Sequence, residues 1–268
     1  MQYNPVTRNH AVLCDGGDPN GLVYPLLCQP TQPYPSEMEF MAQAVFLSNY
    51  SGSPASMGAG VRKSLGSWKA GQWTNATTTY TDDTTDAQDA GANDFPLETT
   101  SANDGFIVLC KTKFNLINLL IGTAGSGTGS THDFAYSKAG SWTTFAIGSM
   151  IVGPLASHWT AAETLIWWDV FPDWALTTGA EATGIPAGYY AVRVRATTPP
   201  GTVAALATTM SVHLIQYLQK AVASGTRVQL VMPGSDIGST LGVGECATVA
   251  FSVASVVNRV EAEIRTRG

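Results

Sequence analysis

The stretch that decides the fold is residues 188–195, which reads GYYAVRVR and alternates between apolar and polar positions. Successive side chains of a β-strand point to opposite faces of its sheet, so Tyr190, Val192 and Val194 are expected to face a core. Arg193 and Arg195 are then expected to face outward. This period of two predicts a strand with one buried face.

Similar strand signals lie on both sides of this segment. Continuous apolar runs occupy residues 106–110 and 114–121, and alternation returns at 210–214, 228–232 and 259–265. The charged outer face of the last segment is typical of an exposed or edge strand. No βαβ spacing is present, so the chain is predicted to be all-β, an antiparallel β-sandwich or jelly roll.

The N-terminal part differs from the rest because it is rich in proline. Five prolines lie between residues 19 and 35, which disfavours a helix and favours an extended arm. The apolar side chains along this arm are candidates for binding a partner: Tyr24, Leu26, Leu27 and Tyr34. Only residues 37–47 have helix-compatible spacing, and a strand is the alternative there.

These patterns divide the chain into three predicted segments. Residues 1–60 form the extended N-terminal arm with a short linking segment, and residues 61–200 form a jelly-roll-like β-sandwich. Residues 201–268 supply C-terminal strands, which either complete the sandwich or form a small second β-lobe.

The composition favours a surface covered by other subunits. Charged residues make up 13% of the 268 residues, against about 25% in ordinary globular proteins. Such a surface suits a chain with many neighbours, although an ordinary β protein with a Thr-rich exterior remains the alternative. With a net charge of −6 and no basic stripe, nucleic-acid binding is not expected. The apolar runs are too short to span a membrane, so no membrane partner is expected.

The cysteines and acidic residues have no metal-site spacing. Cys110 and Cys246 lie in apolar runs and are predicted to be buried, whereas a disulfide between Cys14 and Cys28 stays open as a minority alternative. The acidic cluster of Asp82, Asp83, Asp86 and Asp89 is expected to have no basic partners. A calcium site is conceivable there, but the spacing favours a solvated loop. No metal or cofactor site is predicted.

Catalytic motifs are also missing from the sequence. The four histidines are scattered, and His213 is expected on a sheet surface. The Gly-rich run at 122–129 lacks a phosphate-loop pattern and is expected to be a flexible hairpin connection. Asp169 and Asp173 lie among tryptophans, as in a sugar site, but a structural role of those rings is favoured. The chain is therefore predicted not to be an enzyme, with no catalytic residues assigned.

Residues from about 105 to 200 resemble a β-sandwich module that recurs in bacteriophage virion proteins. The resemblance rests on Asp104-Gly105-Phe106, on an aromatic-Gly-Ser-Trp-Thr hairpin at 134–144, on the segment 168–175 and on the strand at 188–195. Its candidate core aromatics are Trp142, Trp168, Trp174 and Tyr190. The chain departs from the pattern by the extra Trp167 and by its Pro-rich N-terminus.

The resemblance implies a virion component made in the cytoplasm of the host bacterium. The first hypothesis is a capsid decoration (cement) protein, with a homotrimer favoured, that binds the major capsid protein or other virion proteins. The second is a tail or fibre protein that binds host-surface glycan through Trp142, Trp159 or Trp167. The weakest is a virion-associated glycan hydrolase. Buried tryptophan rings favour the first hypothesis, and rings exposed along a groove favour the second.

Overall fold

The computed structural model describes residues 7–15, 23–28, 39–49, 55–91, 95–126, 131–146, 151–152, 159, 163–222, 226–230, 239–240, 245–251 and 258–267. Within these ranges the secondary structure is almost entirely antiparallel β. The expectation of an all-β fold is therefore confirmed.

The described part contains nineteen strands and one short helix, α1 (Thr84–Gln88). In chain order the strands are β1 (Thr7–Asp15), β2 (Val23–Cys28), β3 (Glu39–Asn49), β4 (Ala55–Ser64), β5 (Trp68–Thr74), β6 (Thr79–Asp82), β7 (Phe95–Pro96), β8 (Gly105–Cys110), β9 (Leu116–Thr123), β10 (Thr131–Ser137), β11 (Trp142–Phe145), β12 (Ile151–Val152), β13 (Glu163–Trp167), β14 (Tyr190–Thr198), β15 (Leu206–Val222), β16 (Thr226–Leu230), β17 (Ser239–Thr240), β18 (Glu245–Phe251) and β19 (Asn258–Arg267).

The chain forms two compact units. Unit 1 combines Met1–Ser64 with Ile215–Gly268, and unit 2 is Leu65–Leu214. Strand β15 begins in unit 2 and ends in unit 1. The sequence pattern predicts domain limits after residues 60 and 200, and these limits stay a prediction.

Unit 1 pairs N-terminal strands with C-terminal strands. One sheet has the order β1-β19-β3-β16, with β17 also paired to β3, and the other has the order β15-β4-β18-β2. Residues 39–49 are a strand, so the helix-compatible interpretation of 37–47 is wrong from residue 39 onward and the strand alternative holds there. The backbone groups of β3 pair with β19 on one side and β16 on the other. Strand β19 pairs with β1 on one side and β3 on the other, so the expectation of an edge strand is wrong. The alternative, an exposed charged face, stays a prediction.

The Pro-rich segment is extended where it is described. Tyr24, Leu26 and Leu27 lie in β2, which pairs with β18, and Tyr34 lies outside the described residues. Cys28 is the register partner of Cys246 in that pair. Cys14 lies in β1, opposite Val260 and in a different sheet from Cys28.

Unit 2 is an antiparallel β-sandwich, as predicted. One sheet has the order β11-β10-β14-β8-β5-β6, and the facing sheet has the order β12-β13-β9-β15, with β7 paired to β15. The core between them contains apolar side chains from both sheets, including Val192 and Val194 of β14 and Ile117 of β9. The hairpin predicted at 134–144 is formed by β10 and β11.

The six-stranded sheet is covered on its outer face as well. All six residues of β8 are buried. Phe106 and Val108 pack in the core between the sheets, whereas Ile107 and Leu109 belong to a second apolar cluster. That second cluster includes Ile185, from the irregular segment that leads to β14. The sheet is therefore a middle layer between the facing sheet and this covering segment.

Two loop expectations are corrected by the sandwich. Strands β9 and β10 belong to opposite sheets, so the Gly-rich run between them is not a hairpin but a connection between sheets. The acidic cluster is not a plain loop either, because α1 begins within it. Asp82 has a basic partner from the neighbouring strand, Lys69, whose Nζ lies 2.6 Å from Asp82 Oδ2.

Candidate functional site

The outer face of the six-stranded sheet contains a buried arginine between aromatic rings. Arg193 of β14 lies on this face, as predicted, but it is only 7% exposed. Its Cζ lies 4.8 Å from the ring centroid of Trp73 and 4.9 Å from that of Trp142. Burial, followed by repulsion from Arg195, lowers the pKa of Arg193 to about 10. Arg193 therefore remains positively charged at neutral pH, and the fold buries this charge.

The two indole rings are fixed by hydrogen bonds at their edges. Their centroids are 6.5 Å apart, with an angle of 71° between the ring planes. Trp73 Nε1 donates to the Asn103 carbonyl oxygen at 3.0 Å, and Trp142 Nε1 donates to the Glu181 carbonyl oxygen at 3.1 Å. The rings therefore form a corner beside the guanidinium, and cation–π attraction stabilises this arrangement.

The second arginine of the strand is neutralised by a carboxylate. Arg195 is the register partner of Asp133 on β10. It donates through Nε to Asp133 Oδ1 at 2.6 Å and through Nη2 to Oδ2 at 2.6 Å. This fork-like contact raises the pKa of Arg195. Asp133 is thus engaged with Arg195, and Arg193 Nε has no hydrogen-bond partner among the described residues.

Glu181 is a buried carboxylate that organises the covering segment. It is 3% exposed, and its carboxylate oxygens accept backbone N–H groups of Gly140 at 2.7 Å, Gly179 at 3.0 Å and Thr178 at 3.0 Å. Gly140 and Gly179 have φ angles of +93° and +92°, in the left-handed region that glycine tolerates. The carboxylate therefore joins the turn between β10 and β11 to the segment that covers the sheet.

Sequence reasoning missed both the arginine corner and Glu181. Trp73, Trp142 and Arg193 come from three strands, β5, β11 and β14, and no spacing along the chain connects them. Glu181 lies in an irregular segment without a periodic pattern. Gly140 and Gly179, whose N–H groups donate to Glu181, indicate turns in the sequence. They do not indicate which carboxylate accepts those N–H groups.

A buried contact between a histidine and a carboxyl group lies elsewhere in unit 2. His132 Nε2 is 3.2 Å from Glu98 Oε2, and the side chains are 1% and 0% exposed. The His132 ring also packs against Trp159, with centroids 4.8 Å apart. His132 and Asp133 are adjacent in the chain but have separate partners, Glu98 and Arg195.

His213 is buried, at 5% exposure, so its expected position on a sheet surface is wrong. Its Nε2 lies 2.8 Å from the Ser211 hydroxyl oxygen, two residues away on the same strand. A nucleophile and base that act on a substrate must be reachable from solvent. Burial of His213 therefore gives this Ser–His pair no catalytic support.

The acidic residues near the tryptophans do not form the pair that glycoside hydrolysis needs. Asp173 is exposed, and it accepts hydrogen bonds from Lys138 Nζ at 2.5 Å and from the Tyr136 hydroxyl at 2.9 Å. These contacts lower the pKa of Asp173. A general acid requires the opposite shift, because it must stay protonated near neutral pH. Asp169 is exposed.

The predicted core aromatics occupy two different clusters. Trp168 and Trp174 are buried between the sheets, and Tyr190 is half-buried against the same cluster. Trp142 is half-buried on the outer face, beside Trp73. Trp159, a candidate sugar platform, is 2% exposed, and the Trp167 side chain lies outside the described part. Cys110 is buried in the core, as predicted.

Comparison with known proteins leaves the fold as the defining feature. No protein-family model matches the chain, and no curated protein sequence matches it. Among the described residues, no three His, Cys, Asp or Glu side chains are grouped so that they could hold a metal ion. No helix in the described ranges has the length and hydropathy to cross a membrane. What the structure defines is a class: an antiparallel β protein whose unit 2 is a sandwich with an aromatic-rich interior.

Proposed function

We propose that this chain is a non-enzymatic structural component of a bacteriophage particle, a capsid decoration protein that binds the major capsid protein. The observation that carries the proposal is the burial of the tryptophans. Of the six whose side chains are described, Trp142 is half-buried and five are buried: Trp68, Trp73, Trp159, Trp168 and Trp174. These rings stabilise the interior and leave the surface for contacts with other proteins.

The surface chemistry supports the same proposal. With only 13% charged residues, little charge has to be desolvated when subunits meet. The centres of protein interfaces are depleted in charged residues. A decoration protein also has to bury about 1,600 Å² or more for each stable contact. A homotrimer, the assembly favoured from the resemblance, would repeat such a contact three times around an axis.

A glycan-binding tail or fibre protein is less well supported. That role needs aromatic faces that a sugar ring can cover. Trp142 is the only half-buried tryptophan in the described part, and it packs against Trp73 and Arg193. The hydrolase alternative is weaker still, because Asp173 is ion-paired with Lys138.

The test is to locate the chain on purified phage particles. Quantitative mass spectrometry should find it in a fixed ratio to the major capsid protein, and electron cryomicroscopy should place it on the outer surface of the shell. Absence from purified particles contradicts a virion role altogether. Presence on the tail alone contradicts decoration and favours the fibre alternative, which a glycan-binding assay then tests.

A further inference from the structure

The two edges of the six-stranded sheet of unit 2 differ in how their backbone groups are used. At the β6 edge, the N–H of Tyr80 donates to the Thr183 carbonyl oxygen at 2.8 Å, and the N–H of Thr183 donates to the Thr78 carbonyl oxygen at 2.9 Å. Asp82 adds a charged side chain to the same edge. An edge strand that is covered or charged is protected from pairing with another chain. The β6 edge is therefore closed.

The β11 edge has no such cover from the described part of the chain. Strand β11 pairs only with β10 among the described strands. Lys138 and Ser141 exchange both of their backbone hydrogen bonds at the turn, and such pairs alternate along an antiparallel ladder. The backbone groups of Thr143 therefore point at β10, whereas those of Trp142 and Thr144 point away from it. No described residue donates to these outward groups or accepts from them.

The side chains of β11 also leave this edge uncovered. The Trp142 ring contacts Arg193 of β14, which lies two strands in from the edge. The Phe145 ring packs against Trp168 in the core between the sheets. Both rings therefore point into unit 2, and Thr144 between them is exposed. An open row of backbone N–H and C=O groups is a template for a further strand.

The chemistry of this edge favours a second copy of the chain as the source of that strand. Residues 141–146 read SWTTFA and carry no charge. A strand that pairs with its own copy brings like side chains together, so a charged edge would repel itself, and this one does not. A twofold axis at Thr143 would place Trp142 of each copy opposite Thr144 of the other. Every outward N–H then meets a carbonyl oxygen.

We propose that two copies of this chain pair antiparallel through their β11 edges and join their six-stranded sheets into one. The inference goes beyond the proposed function, because it names a contact between copies rather than a contact with a shell protein. It is also separate from the threefold contact of a trimer, since it has twofold symmetry. One four-residue strand from each copy makes a contact that is small against the about 1,200 Å² of a stable interface. Association is therefore weak and depends on protein concentration.

The test is to measure the mass and the amide exchange of the full chain at micromolar to millimolar concentrations. Sedimentation should show a mass that doubles as the concentration rises. Hydrogen exchange at the N–H groups of Trp142 and Thr144 should slow over the same range, because these groups are bonded only in the pair. The N–H of Tyr80, already bonded to Thr183, should not change. A constant mass overturns the proposal and leaves the edge to a strand of another protein, and a doubled mass without slower exchange at these two N–H groups overturns it as well.

Three variants separate this edge from the rest of the surface. Thr144→Lys places a charge on the open edge and should weaken the association at least about tenfold. Thr81→Lys, the same change at an exposed residue of β6, is the matched control and should associate as wild type does. Thr144→Val keeps the backbone groups and the β-branched shape, so it should associate at least as strongly as wild type. Equal association of the two lysine variants, or its loss in Thr144→Val, contradicts backbone pairing at β11.

Discussion

The two faces of the six-stranded sheet are buried by different chemistry. The inner face packs apolar side chains against the facing sheet, with Val192 and Val194 fully buried. The outer face buries charged groups as well, including Arg193 and Glu181. Hydrophobic contact is non-directional, so many side chains can satisfy the inner face. A buried polar group needs a partner in a particular place, so the outer face depends on individual residues.

Arg193 and Arg195 show this dependence within one strand. They lie two residues apart and belong to the same face by the alternation of β14. Arg195 pairs with Asp133, which lies opposite it in the register. Arg193 lies opposite Ala135 and Ile107, which offer no charge, and it is covered by indole rings instead. Neighbouring strands therefore decide what each arginine does.

The largest effect is expected from the inner face. Phe106→Ala removes a fully buried ring that packs against Phe95 and Trp159. The resulting cavity should lower the free energy of unfolding by about 3–5 kcal/mol, measured by denaturant titration. Leu120→Ala, at a position that is 45% exposed, is the control and should change stability by less than about 0.5 kcal/mol. Equal losses in the two variants would contradict the assigned core.

On the outer face, Glu181→Ala should cause the largest loss in the free energy of unfolding, second only to that of Phe106→Ala. It leaves three backbone N–H groups without their charged acceptor, which should cost about 2–3 kcal/mol. Amide hydrogen exchange should become faster at Gly140 and Gly179. The matched control is Asp89→Ala, which removes an exposed carboxylate from the N–H of Gly91. If Glu181→Ala is as mild as this control, Glu181 does not organise the segment.

A smaller loss is expected from Ser137→Ala, at the end of β10. The buried Ser137 hydroxyl donates to the Ala175 carbonyl at 2.7 Å and accepts N–H groups from Trp174 and Ala191. Its removal should lower the free energy of unfolding by about 1–2 kcal/mol. Ser141→Ala removes an exposed hydroxyl that donates to the Lys138 carbonyl and should be nearly neutral. A neutral Ser137→Ala would show that water replaces the lost contacts.

The smallest effect belongs to the exposed ion pair at the sheet edge. Burial acts to raise the pKa of Asp82, but hydrogen bonds from Lys69 and Thr84 outweigh it and hold the pKa below the usual 3.8. The pair therefore stabilises the fold above about pH 4, and this contribution is lost as the pH falls through the lower folded-state value.

Because both side chains of this pair are at least 40% exposed, Asp82→Asn should cost less than about 0.5 kcal/mol at neutral pH. The difference from wild type should shrink below pH 4 and at high salt. A difference that persists under acid conditions would contradict the assigned electrostatic origin. The measurement is denaturant unfolding across pH.

The predictable parts of unit 2 are those set by local periodicity. The run at 106–110 became β8, the alternation at 188–195 became part of β14, and the hairpin at 134–144 became β10 and β11. The stretch at 37–47 could not be assigned in the same way, because its local spacing is compatible with a helix. It forms a strand because β16 and β19, from distant parts of the chain, pair with it. The candidate site was unpredictable for a related reason, since its residues come from three strands.

By itself, the sequence determined that the chain folds into sheets and that aromatic and branched side chains supply their buried faces. These properties depend on which side of a strand each residue takes, and that follows from its neighbours in the chain. Only the tertiary structure decided that both faces of the six-stranded sheet are covered, that His213 is buried and that Arg193 lies beside two indole rings. Burial and pairing depend on distances between residues far apart in sequence, and these distances exist only once the sheets have assembled.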